Sequence, residues 1–131
     1  MSASERIKGR RAEAEVARIL RDAGFTVRGL ESGGDHHAVL GTVRLHVEVK
    51  RQERGWRWAW AAQAMAEAPA GSIPVVIYRS NREPWTLGMP RMHRVLLEAE
   101  TEVLITPLVH SRISGTHVWD FATLRVFLEA F

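Results

Sequence analysis

Residues 43–50 alternate without a break. Val43, Leu45, Val47 and Val49 fall on one side of an extended chain, and Arg44, His46, Glu48 and Lys50 fall on the other. That period of two belongs to a strand, and its apolar side has to be covered by another layer. Residues 5–23 can supply the cover. Val16, Ile19, Leu20 and Ala23 sit at i, i+3, i+4 and i+7, which is one stripe of a helix. Ser2 and Glu5 have capping-box spacing, and Gly24 is a stop signal.

The remaining punctuation fills in the order. Residues 25–30 and 36–40 read as short strands, the second turning at Gly41. After a polar loop at 51–55, residues 58–68 are Ala-rich and helical by propensity, with Pro69 and Gly71 closing them. Residues 73–78 form an apolar run of the length of a buried strand. Turns dominate 81–90, around a brief strand at 85–87. Residues 92–97 fit a helix or a strand, and 103–105 a short strand or a turn. Asp120 is placed to cap a last helix over 121–131. The order predicts an α/β domain with a mixed sheet.

A length of 131 residues allows one domain, 1–131. With 46% hydrophobic and 25% charged residues, the composition is that of a globular chain. The absence of cysteine excludes a disulfide framework and thiolate-bound zinc. The charged first residues do not resemble a secretory leader, and no apolar run is long enough for a membrane helix. A cytoplasmic location is the expectation, in a prokaryotic or a virus-infected cell.

The net charge is only +3, but residues 1–60 hold 12 Lys and Arg against 8 Asp and Glu. Of the 18 basic residues only Lys8 and Lys50 are lysine. Arginine forks suit phosphate, so the basic half points to nucleic acid. An Arg-rich or heat-adapted source explains the same composition equally well.

Chemistry concentrates at a few positions. Glu48 and Lys50, two apart on a strand, project to the same side. Asp35 follows a Gly-Gly loop and opens the preceding strand. On the first helix, Glu13 lies about 20° from Leu20 at about 100° per residue, beside the apolar stripe, while Glu15 falls on the solvent side. Carboxylates such as Asp35 and Glu48 suit Mg2+ held together with waters and a substrate phosphate. Such a metal polarises the phosphate and acidifies a water, and Lys50 would orient that water or offset the charge that develops. This is equipment for phosphodiester hydrolysis. A Glu-x-Lys triplet by itself is more often an exposed ion pair.

Lys8-Gly9, Ala12-Glu13, Gly24-Phe25, Ser32 with Asp35, Glu48-Val49-Lys50 and Gly71-Ser72-Ile73-Pro74 occur in an order and spacing that resemble the archaeal-type Holliday junction resolvases of the PD-(D/E)xK nuclease superfamily. The resemblance runs over about residues 8 to 80. It implies a single-domain, restriction-endonuclease-like mixed β-sheet flanked by helices. It also implies a homodimer that resolves four-way DNA junctions by paired nicks, leaving 5′-phosphate and 3′-hydroxyl ends. The cofactor implied is Mg2+, with Mn2+ as a substitute. Glu13 matches the helix-one carboxylate, Ser32 a serine of the catalytic loop, and Asp35, Glu48 and Lys50 the acidic pair and lysine. Glu13 joins Asp35 and Glu48 as a metal ligand. Gly34 stands where the superfamily often has proline, and Ala14 where an arginine is common.

Lys8, Arg10, Arg11, Arg28, Arg51, Arg54 and Arg57 are the expected DNA contacts. His36 and His37 suit metal or phosphate, though a satisfied ring on a strand is commoner; His46 shares the Glu48 face. Trp56, Trp58 and Trp60 can stack on opened bases or pack in a core or dimer interface, with the interface favoured. Gln63 lies on the second helix, where the resemblance implies that some nucleases of the superfamily place a polar residue near the site, but it reads first as an exposed helical residue. Leu124, Phe127, Leu128 and Phe131 form a stripe for the core or a partner subunit. Two rival functions use the same residues: another nuclease of this superfamily acting on flaps or duplex, and a non-catalytic DNA-structure binder.

Overall fold

The computed structural model describes residues 3–29, 36–52, 54–105 and 110–131. The chain runs α1 (Ala3–Asp22), β1 (Thr26–Gly29), β2 (His36–Leu40), β3 (Val43–Arg51), α2 (Trp58–Glu67), β4 (Ile73–Arg79), β5 (Thr86–Pro90), α3 (Arg91–Thr101), β6 (His110–Ser114), β7 (His117–Thr123) and α4 (Leu124–Glu129). The strands form one mixed sheet in the order β1-β2-β3-β4-β5-β7-β6. Only β3 and β4 pair in parallel; the other neighbours are antiparallel. A parallel neighbour needs a crossover, and α2 provides it. No helix among the described residues is long and apolar enough to cross a membrane.

Local chemistry explains the first half. α1 stops in a Schellman motif: the Phe25 amide donates to the Leu20 carbonyl at 3.0 Å and the Gly24 amide to Arg21 at 2.9 Å. Gly24 has φ +101, a conformation that costs glycine little. β2 and β3 are joined through Gly41-Thr42, with Leu40 opposite Val43. The capping-box position Ser2 lies outside the described residues.

The sheet carries a core on each face. Val16 and Leu20 of α1, Leu45 and Val47 of β3, Ile77 of β4, Leu97 of α3 and Phe127 of α4 belong to one buried cluster. The other face holds Trp60, Ala61 and Ala64 of α2 against Val76, Tyr78, Trp119 and Phe121. Alternation along β3 therefore assigns Val43, Leu45 and Val47 to the α1 side and His46, Glu48 and Lys50 to the α2 side.

The second half departs from the sequence expectation. Residues 91–101 are helical, and 103–105 form no strand. β6 and β7 form a hairpin that hydropathy did not reveal, turning at Gly115-Thr116 with Gly115 at φ +58. Asp120 caps no helix. It lies inside β7, and α4 begins at Leu124 with the Thr123 hydroxyl accepting from the Val126 amide at 3.3 Å. The Asp120 carboxylate accepts from Arg94 Nε at 2.7 Å, Arg91 at 3.0 Å and Ser111 Oγ at 2.6 Å. These bonds fasten the start of α3 to β7 and β6. Leu124 and Phe127 are core, while Phe131 is exposed.

Two outcomes follow. Burial raises the Asp120 pKa, but the bonds from Arg91, Ser111 and Arg94 outweigh it and hold the carboxyl below its ordinary range. A depressed carboxyl stabilises the fold above its unfolded pKa, and that stability drains away as pH falls through the folded value. Asp120→Asn should cost about 3 kcal/mol at neutral pH, and the gap from wild type should close under acid in pH-dependent urea melts. At Gly88 an added Cβ would stand 2.5 Å from the buried Phe121 ring. Gly88→Ala should lower stability by about 1–3 kcal/mol in thermal denaturation, through overpacking.

Candidate functional site

Glu48 and His46 sit where an inner strand normally places apolar residues. β3 is flanked by β2 and β4 and roofed by α2 on this side, so both side chains are buried, at 0% and 1% exposure. His46 Nε2 lies 3.1 Å from Glu48 Oε1. A carboxylate only accepts, so Nε2 carries the proton in that bond. His37 stands opposite His46 across the β2–β3 ladder.

Lys50, two residues on, faces the same helix. Its Nζ donates to Gln63 Oε1 at 3.0 Å, and Gln63 Nε2 donates to Glu67 Oε1 at 3.3 Å. The spacing of Gln63 and Glu67 places them one turn apart on α2. Ligand atoms of His46, Glu48 and Glu67 all lie within 4.8 Å of one another. Carboxylate oxygens and an imidazole nitrogen, once that nitrogen is deprotonated, form at that separation a donor set for a divalent cation. The nitrogen favours transition metals such as Mn2+ over Mg2+.

The expected residues thus divide. Glu48 and Lys50 come together with His46, Gln63 and Glu67. Ser32 and Asp35 lie outside the described residues. Glu13 is half-buried on α1, on the other side of the sheet, where its backbone carbonyl faces His36 Nε2 at 2.7 Å. His36 pairs with Val47 on that face, so its ring ties α1 to β2. Glu15 is only partly solvated and meets Arg79 of β4 at 3.6 Å. Gln63 is half-buried and bonded rather than freely exposed. Glu67 was not singled out; a carboxylate four residues beyond Gln63 was the available signal.

Lys8, Arg10 and Arg11 are exposed along α1, and Arg28 is exposed on β1. Arg54 and Arg57 are exposed before α2, and Arg51 is half-buried at the end of β3. The tryptophans pack within the chain. Trp56 touches five rings, with centroids 5.7 Å from Trp58, 5.8 Å from Trp60, 5.5 Å from Tyr78 and Trp119, and 4.8 Å from Phe121. An apolar pocket of about 500 Å3 between α1 and α4, lined by Ile19, Trp85, Leu124 and Leu128, lies on the opposite face from Glu48.

His46→Ala should destabilise the protein by about 2–4 kcal/mol, because it opens a cavity and removes a bond to a buried carboxylate. His46→Gln, which can restore a donor, should recover part of the loss in chemical denaturation.

No family model, no curated protein and no solved structure matches this chain.

Proposed function

We propose that this chain is a divalent-metal-dependent endonuclease of the PD-(D/E)xK type, acting as a homodimer on four-way DNA junctions. The observation that supports it is the pairing of Glu48 with Lys50 on one side of an inner strand, with Lys50 bonded to Gln63 of the crossover helix. The order α1-β1-β2-β3-α2-β4, three antiparallel strands followed by a parallel fourth, is consistent with the restriction-endonuclease-like sheet that the resemblance implies.

Glu48 would hold the metal with Glu67, and the metal would polarise the scissile phosphate and acidify a water. Everything else falls to the chain's own groups. His46 fixes the Glu48 carboxylate in one orientation. Gln63 holds the Lys50 ammonium in place, and Glu67 in turn steadies the Gln63 amide. An ammonium preorganised beside a poorly solvated carboxylate offsets negative charge that builds on phosphate oxygens, at low reorganisation cost. Hydrolysis then leaves 5′-phosphate and 3′-hydroxyl ends. A junction has approximate two-fold symmetry, and a C2 dimer offers two equivalent sites for opposed nicks.

A synthetic immobile junction, labelled on each strand in turn, tests this reading. Mg2+ or Mn2+ should give paired symmetric nicks, and EDTA none. Asp35→Ala, Glu48→Gln and Lys50→Ala should each slow single-turnover cleavage by at least about 100-fold. Equal cutting of linear duplex would keep the nuclease and remove junction specificity. Tight binding without product would leave a structural binder in its place.

A further inference from the structure

On the α2 side, the cross-strand row through Glu48 continues to the far edge of the sheet. Glu48 stands opposite Val76, Val76 opposite Gly88, Gly88 opposite Phe121 and Phe121 opposite His110. Four strand spacings make this row about 19 Å long.

Its far end is built for contact. Every residue of edge strand β6 is exposed. His110 stacks on Phe121, with centroids 5.2 Å apart and planes 9° from parallel. The Arg112 guanidinium carbon lies 5.8 Å from the centroid of the same ring. Phe121 is buried, so a core ring orients both polar groups. Burial raises the pKa of neighbouring Tyr78, and the Arg112 cation works against that rise. Trp56 packs edge-on against Phe121, with centroids 4.8 Å apart, and ends the loop that carries exposed Arg54, with exposed Arg57 next to it.

On β6 and β7 the patch has little counter-charge. β6 contains no acid, and the one acid of β7, Asp120, turns to the other face, where Arg91, Arg94 and Ser111 engage it. A guanidinium carries its N–H groups as a planar fork, which suits a phosphate oxygen pair.

We propose that Arg112 and His110, with Arg54 and Arg57, form a second nucleic-acid contact that grips the backbone away from the bond cut at Glu48 and Lys50. The inference rests on the nuclease reading and adds a position: at 3.4 Å per nucleotide, about 19 Å corresponds to a phosphate about five or six nucleotides from the cut. Gly88 belongs to the same device, since its missing side chain leaves room for the Phe121 ring.

The test uses the full chain and a fluorescent four-way junction, with binding followed by anisotropy across a salt series. Arg112→Ala should weaken binding about tenfold and lower the salt slope by about 1, with the single-turnover rate at saturating DNA unchanged. Arg112→Gln keeps the stem over the ring, removes the charge, and should behave alike. One neutral methylphosphonate, scanned along the cut strand, should weaken wild type at five or six nucleotides from the nick and add nothing to Arg112→Ala. Wild-type affinity and slope in both Arg112 variants would overturn the inference while the nuclease stands. A wild-type protein that neither binds nor cuts the junction would remove both.

Discussion

The parallel pairing of β3 with β4 governs the rest of the architecture. Antiparallel neighbours can be joined by two residues, as at Gly41-Thr42, but a parallel neighbour requires the chain to cross a face of the sheet. That crossing sends the chain from the end of β3 to Trp56, which docks on Phe121 and Trp119 of the distant β7. α2 then brings Gln63 to Lys50 and Glu67 to within ligand distance of Glu48 and His46. The roof over the polar side of β3 and the aromatic cluster are two consequences of one connection.

A fully buried carboxylate on an inner strand carries a desolvation penalty that an apolar residue would avoid. His46 offsets part of it through a directed bond. The opposite face of the same strand follows ordinary packing, with Val43, Leu45 and Val47 in the core. The contrast between two sides of one strand is the physical basis for placing chemistry at Glu48. Around it, His46, Gln63 and Glu67 hold groups in position, each through another residue.

The elements that were legible in the sequence are those whose signal is local, either a regular period or an unbroken apolar run. α1, β2, β3, α2 and β4 appeared near their observed limits because their periodicity or apolar run is local. β7 hid because Asp120 breaks its apolar run: Trp119 and Phe121 enter the aromatic cluster on one face while Asp120 meets α3 on the other. An Asp before an apolar stretch then resembles a helix cap. Gly115-Thr116 repeats the turn chemistry of Gly41-Thr42 and was the one local sign of the missed hairpin.

The sequence by itself determined which side chains share a strand face or a helix turn, because those spacings follow from 2.0 and 3.6 residues per repeat. It therefore placed Glu48 with Lys50 and identified the α/β class. Only the tertiary structure decided that α1 and α2 cover opposite faces. Thus Gln63 and Glu67 join His46 around Glu48 and Lys50, Glu13 stands across the sheet, and the tryptophans pack within the chain. These decisions depend on residues far apart in the chain, brought together by the direction of the crossover and by burial on both faces, and no local period encodes them.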